Sequence, residues 1–390
     1  MKKKLGVFLL LVAILACAFG CGGGDITPAS KELAFDANGN FRILQLTDIQ
    51  LIQAGLEPNT KALLDTVIDS QAPDMIIITG DNTSSEDFSS IKDKATAKAA
   101  LLAVHKEIVD YMTSKNIPWS ATFGNHDALY GIAPKSEIFD VYTKSPTYIG
   151  GWATDAYANC YVDKEAGNEI ENTASGYNIK EGTYTNFSIP VKSNDKSKTL
   201  YNIYLFDCQT SMNKYLPILD SQIAWYEAQR DALKAANGGA YVPSILFTHE
   251  SAESFKNAYH NKDNSEIVSK YYGEVGDGDV FPPENGANFD EAVLSAGDMK
   301  GMFFGHDHLN TFNAVVKNNG HKVFMAYARI SSFAKYMYAN LPMSYSRGGR
   351  IIDIKADGNL TSFDVSCKAT NKAYTQFEVN TQYQIDLSKD

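Results

Sequence analysis

Five short apolar runs in this chain give way to the same class of polar residue. "ILQLT" is followed by Asp48 and then Gln50, and "MIIITG" by Asp81. "WSATFG" is followed by Asn125, His126 and Asp127, "SILFT" by His249, and "GMFFG" by His306, Asp307 and His308. Carboxylate oxygen, amide oxygen and imidazole nitrogen are donors that hard and borderline divalent cations accept. Paired thiolates, the mark of structural zinc, are missing from these junctions. The donors exceed what one ion needs, so a pair of ions bridged by a carboxylate fits them better. Two cations a few ångströms apart can clamp both the attacking and the leaving oxygen of a phosphoryl transfer.

An Asp after a strand often does no more than begin a turn, and "GD" alone reads that way. The histidines are harder to dismiss. The chain has 7 His, and His126, His249, His306 and His308 all fall at these junctions. His306 and His308 leave a strand with one residue between them, so both can face the same rim. His105, His260 and His321 lie in a helix or loops and read as solvated or structural.

The elements that must position these residues follow an α/β order. "FRILQLT", "PDMIIITG" and "IPWSATFG" are short apolar runs suited to buried strands. Between them "NTKALLDTVIDSQ" and "DKATAKAALLAVHKEIVDYMTSK" have helical apolar spacing. Strands resume at "TYTNFSIPV" and "TLYNIYLFD", followed by a helix in "SQIAWYEAQRDALKAA" and a strand in "VPSILFT". "MKGMFFG", "HKVFMAYARI", "GRIIDIKA" and "LTSFDVSCKA" complete the strands. In an open α/β sheet, ligands bind beyond the carboxyl ends of the strands. Two polar, aromatic-rich stretches, 128–182 and 252–287, read as surface insertions, and such long loops tend to be functional. Their Tyr, Trp and Asn content suits stacking on a base or a sugar.

Composition narrows the class. The chain has 390 residues, 44% hydrophobic and 21% charged, enough for a large core. A net charge of -11 argues against general nucleic-acid binding, which needs clustered Lys and Arg. Lys2, Lys3 and Lys4 precede "LGVFLLLVAILACAF", a charged segment followed by an apolar one too short for a typical membrane span. Residues 1–21 therefore read as a secretory signal. Small residues before Cys17 and Cys21 resemble a bacterial lipoprotein signal, in which lipid is attached to the Cys that becomes the N-terminus. Residues 22–30, "GGGDITPAS" from Gly22 on, read as a flexible tether. The expectation is an exported protein anchored by lipid to the bacterial envelope, periplasmic or at the cell surface. Membrane contact would run through that lipid only. Cys160, Cys208 and Cys367 cannot all pair, so disulfides are not the framework. Oligomeric state is left open.

In order and spacing, Asp48-Ile49-Gln50, Gly80-Asp81, Gly124-Asn125-His126-Asp127, His249 and Gly305-His306-Asp307-His308 resemble the motifs of the calcineurin-like metallophosphoesterases. The resemblance covers about residues 40–355, and "GHDHLN" with "RGGRIIDI" looks like its purple acid phosphatase-like branch. It implies one domain over 31–390, a four-layer α/β/β/α sandwich with two mixed β-sheets flanked by helices. It implies that Asp48 and His308 bind a first ion, that Asp81 bridges, and that Asn125, His249 and His306 bind a second. The ions would be Mn, Zn, Fe or Ca. By the same resemblance His126 assists the leaving group, Asp127 orients its ring, and a hydroxide between the ions attacks phosphorus. The implied activity is hydrolysis of phosphate mono- or diesters, with a phosphorylated small molecule or glycan as substrate. One position departs from the family. Gln50 stands where a His is usual. It could ligate the first ion through its amide oxygen, leave the place to water, or empty the site. The last option points to a degenerate scaffold that binds a surface ligand, a glycan or nucleotide, without turnover. "GDNTSS" also lacks the Tyr of purple acid phosphatases, so no purple colour is expected with iron. Arg347 and Arg350 could meet a phosphate or support the sheet.

Overall fold

The computed structural model describes residues 31–390 apart from 152–156, 168, 173–176, 181, 210–214, 335–344 and 346. The signal and tether assigned to residues 1–30 lie outside the described residues. In chain order the elements are β1 (Asn40–Leu46), α1 (Pro58–Gln71), β2 (Met75–Thr79), α2 (Lys94–Lys115), β3 (Trp119–Thr122), α3 (Lys135–Tyr142), β4 (Asn159–Asp163), β5 (Glu169–Asn172) and β6 (Tyr177–Lys180). They continue as β7 (Thr183–Lys192), β8 (Thr199–Phe206), α4 (Asp220–Ala236), β9 (Ser244–Thr248), α5 (Glu253–His260), β10 (Val268–Tyr272), α6 (Ala287–Leu294), β11 (Met299–Phe304), β12 (Asn313–Asn318), β13 (His321–Tyr327), β14 (Arg347–Lys355), β15 (Leu360–Ala369) and β16 (Phe377–Asp386).

Two mixed sheets pack face to face, with helices on the outside. The first sheet runs β16-β15-β14-β1-β2-β3, and the second β10-β12-β13-β11-β9-β8-β7-β4. This is the expected α/β/β/α sandwich. Strand alternation builds the second sheet's two faces. Ile203, Leu205, Ile245, Phe247, Phe303 and Phe324 join the core between the sheets. Their neighbours Tyr204, Phe206, Leu246, Met302, Phe304 and Met325 face outward, onto a second core that includes Tyr226, Phe255 and Phe289 of the flanking helices. Buried apolar area of this extent is the main favourable term in folding.

Local chemistry fixes the helix ends near the site. α1 starts with Pro58 in its first turn, where a missing N–H costs nothing. α2 is capped by Asp93, whose carboxylate accepts from Thr96 N at 2.9 Å. Its buried His105 stays in the interior, between Thr83 Oγ1 (3.1 Å) and Tyr142 OH (3.0 Å), and burial pushes it down to about 3. That is the structural reading of His105.

The two stretches read as insertions hold more regular structure than their composition suggested. Within 128–182 lie α3 and β4, and Ile138, Phe139 and Tyr142 are fully buried. Within 252–287 lie α5 and β10, with Phe255 fully buried. Their apolar residues are too few per turn to stand out in a polar sequence. They are enough to dock a short helix on a core supplied by other elements. β12 and β16 were also not anticipated, since β12 offers only a short apolar run in "NAVVKN" and β16 is a largely exposed edge strand.

Asp298 offers a test of the packing. It sits just before β11 and is 2% exposed. Burial pushes it up to about 6. Between about pH 4 and that value the folded chain binds more protons than the unfolded one, so stability falls as pH rises. Asp298→Asn removes this slope. Thermal melts across pH should show the variant above wild type at neutral pH, with the two converging below about pH 4.

Candidate metal centre

β1, β2 and β3 are parallel neighbours in the first sheet, as are β8, β9, β11 and β13 in the second. Parallel strands end on the same side. The loops after β1, β2 and β3 bring Asp48, Asp81 and Asn125. The loops after β9 and β11 bring His249, His306 and His308. These six of the seven sequence-predicted ligands meet at one rim, and Gln50, the seventh, follows β1 beside Asp48.

The backbone there is held in uncommon conformations. Asp48, Gln50, Asp81 and His306 have φ of 51°, 50°, 49° and 73°. A non-glycine residue in this region stores strain of order 1–3 kcal/mol, and such residues cluster at functional sites. The loops are tied to each other by Gln50 N donating to Asp81 O (2.9 Å) and Gly305 N donating to His249 O (3.0 Å). The motif glycines let these loops approach. A Cβ at Gly124 would run into the Asp81 carboxylate, and one at Gly305 would overlap Thr47 Oγ1 and lie 2.8 Å from Asp48 Oδ2.

Asp81 is the centre of the cluster and is 0% exposed. Its Oδ1 accepts from His126 N at 2.8 Å. Its Oδ2 lies 3.2 Å from His249 Nε2. Asn125 Oδ1 lies 3.2 Å from His249 Nε2 and 3.1 Å from His306 Nδ1. Asp48 Oδ1 lies 3.3 Å from His308 Nε2. Donor atoms of Asp48, Asp81 and His249 all fall within 4.8 Å of one another.

The His249 tautomer shows what the cluster is built for. Its Nδ1 lies 2.8 Å from the Thr79 carbonyl, which can only accept. Nδ1 therefore carries hydrogen, and the neutral ring turns the Nε2 lone pair toward Asp81 Oδ2 and Asn125 Oδ1. Three lone-pair atoms face one another, and a cation resolves that. A metal-bound His commonly donates its other N–H to a carbonyl in this way. Without a cation a proton must serve. Burial opposes charge on both groups, yet their attraction dominates, holding Asp81 below the usual carboxylate range and raising His249 to about 10. The residues fit a metal ion.

Two predicted roles differ in detail. Asp127 was expected to orient His126. Instead its buried carboxylate accepts from Gly124 N (2.8 Å), Thr83 N (3.1 Å) and Asn82 Nδ2 (3.3 Å), holding the loop backbone. Glu86, 6% exposed, takes the place at the ring, with Oε1 2.7 Å from His126 Nδ1. An adjacent residue cannot easily fold back onto its neighbour's ring, whereas the loop after β2 passes over it. Gln50 was offered as a ligand through its oxygen. Its amide nitrogen instead donates to Asp81 Oδ2 at 2.7 Å, and its oxygen accepts from Ser84 Oγ.

A cavity of about 250 Å³ opens over the cluster, lined by His126, His306 and His308. Tyr215, Asp277 and Phe281 form its outer wall, and the Tyr215 ring meets His306 edge-on at 4.4 Å. Asp277 and Phe281 come from the 252–287 stretch. Arg347 and Arg350 are buried in β14 and donate to Ser332 O, Tyr345 O, Tyr327 O and Ser362 Oγ. They support the sheet. No motif spacing pointed to Glu86, Ser84 or Tyr215.

Residues 41–310 match the family model described as calcineurin-like phosphoesterase. The chain belongs to this family. Among similar curated proteins are two from Arabidopsis thaliana, named probable inactive purple acid phosphatase 29 and 14. The first is 24% identical over 81% of this chain and 79% of its own length. The second is 25% identical over 83% and 78%. Among solved structures, a dimetal phosphatase from Danio rerio is 8% identical, covers 89% of this chain and 98% of its own, and has a TM-score of 0.49.

Gly305→Ala tests the close approach of the loops. The variant should keep its far-ultraviolet circular dichroism while its metal affinity, read by calorimetry, falls at least ~10-fold, the scale of lost support to a metal ligand.

Proposed function

We propose that the chain is a metal-dependent phosphoesterase that hydrolyses phosphate mono- or diesters at this rim. The observation that carries the reading is the His249 ring, whose Nδ1 meets the Thr79 carbonyl at 2.8 Å while its Nε2 faces Asp81 and Asn125 beside an open cavity. Asp81, Asn125, His249 and His306 would hold one ion, and Asp48 and His308 would engage a second. Metal ions in such a site polarise a phosphoryl oxygen and activate water. The chain's own contribution lies with His126. Burial disfavours its charge, but Asp81 and Glu86 outweigh that and raise it to about 9. With an ion on Asp81, Glu86 would be the anion that favours a proton on this ring. Glu86 takes Nδ1, which leaves Nε2 to protonate a departing alkoxide, a step worth roughly 10²–10⁴-fold. Tyr215 and Phe281 offer a surface for the alcohol portion of the ester. Lys2–Lys4, the apolar run and Cys17 or Cys21 support export and lipid anchoring.

A second reading is a binding scaffold without turnover. It is favoured by Gln50 and by the word "inactive" in the relatives' names. The purified chain, loaded separately with manganese, zinc, iron and calcium, should hydrolyse p-nitrophenyl phosphate or bis-p-nitrophenyl phosphate above background. Absence of turnover with every metal, beside glycan or nucleotide binding, would favour the scaffold.

His126→Asn should lower kcat by about 10²-fold or more with metal content unchanged. Glu86→Gln should lower kcat less. It should also move the alkaline limb of the pH–rate profile to lower pH, because the imidazolium loses an adjacent anion.

A further inference from the structure

The donors around Asp81 are not shared evenly between the two ion positions. On one side stand Asp81 Oδ2, Asn125 Oδ1, His249 Nε2 and His306 Nδ1. Three of their separations are 3.1–3.2 Å. Ligands bonded at about 2.1 Å to one ion lie about 3.0–3.4 Å apart, so this group already has the spacing of a coordination shell. On the other side stand Asp48 Oδ1 and His308 Nε2, 3.3 Å apart. The second Asp48 oxygen is engaged by Thr47 Oγ1 (2.7 Å) and His306 N (3.1 Å).

Gln50 does not make up the difference. Asp81 Oδ2 can only accept, so the amide edge 2.7 Å away must be the NH₂ edge. The opposite edge accepts from Ser84 Oγ. Both ends of the amide are occupied. Gln50 is 0% exposed and does not line the cavity. A flip in place would set the amide oxygen against the Asp81 carboxylate. The side chain thus acts as a hydrogen-bond donor to the shared carboxylate and supplies no lone pair to either ion. It also draws electron density from the oxygen that an ion beside Asp48 would share.

We infer that Gln50 makes the centre strongly unequal, with one ion retained by Asp81, Asn125, His249 and His306 and the position at Asp48 and His308 only loosely and exchangeably filled. This rests on the metal-centre part of the proposed function and is independent of whether the protein turns over phosphoesters. The loose position would fill when metal is abundant, so any activity that needs both ions would follow the free metal concentration.

The test uses the full chain loaded with manganese and dialysed against metal-free buffer. Metal per chain is counted by mass spectrometry, and electron paramagnetic resonance separates isolated from exchange-coupled manganese. Wild type should retain about one ion with an isolated-ion spectrum. Gln50→His should retain about two with a coupled spectrum, its second ion bound at least ~10²-fold more tightly. Gln50→Met, which fills the same space without a lone-pair amide, should still retain one. Circular dichroism melts accompany each variant. Retention of two ions or none by wild type overturns the inference, as does a Gln50→His protein that stays at one, or a Gln50→Met protein that loses its ion. Turnover at saturating metal is measured apart. Its absence beside the expected counts would sink the phosphoesterase reading and leave this one standing.

Discussion

Asp48 and Asp81 are two carboxylates buried at the same sheet edge, each about 1% exposed or less. Burying one charge is costly, and burying two of like sign side by side is worse unless positive charge is supplied. The rest of the site answers that demand. Backbone N–H groups of His126 and His306 point at the two carboxylates. Three imidazoles surround them. The turns that make this possible hold Asp48, Asp81 and His306 at positive φ and need glycine at Gly124 and Gly305. A sequence that keeps such strain beside such charge is one whose site has work for a cation.

Half of the six candidate ligands come from each sheet. Asp48, Asp81 and Asn125 follow strands of the first, and His249, His306 and His308 follow strands of the second. The core between the sheets therefore does more than stabilise the chain. It fixes the separation at which His249 Nε2 reaches Asp81. An ion bound across that seam would join the two sheets and so link metal affinity to folding free energy.

Around this shared frame the chain has its own features. Glu86 stands at His126, while Asp127 is turned inward to hold the loop. Gln50 and Ser84 close a hydrogen-bonded pair where a further metal ligand is expected in the family. Tyr215, Asp277 and Phe281 wall the cavity with aromatic and acidic groups.

Much of this was written in the chain. Short apolar runs ending in Asp, Asn or His marked the parallel strands and the six donors that meet at the rim, because strand periodicity and strand-end chemistry are local. Legibility stopped where a side chain's partner is remote. Glu86 and His126 are 40 positions apart in the numbering, and nothing in either neighbourhood announces the 2.7 Å contact. Gln50 could be recognised as a departure, yet whether its oxygen or its nitrogen faces Asp81 depended on finding the Asp81 carboxylate 2.7 Å away. Arg347 and Arg350 were open to a phosphate or a structural role until β14 proved central and buried. Short helices such as α3 were hidden for a related reason, since their few apolar residues gain meaning only from the core they meet. Sequence determined which donors exist and which strands deliver them. Tertiary packing decided which lone pairs point at one another, because that depends on contacts between loops that only the two packed sheets bring together.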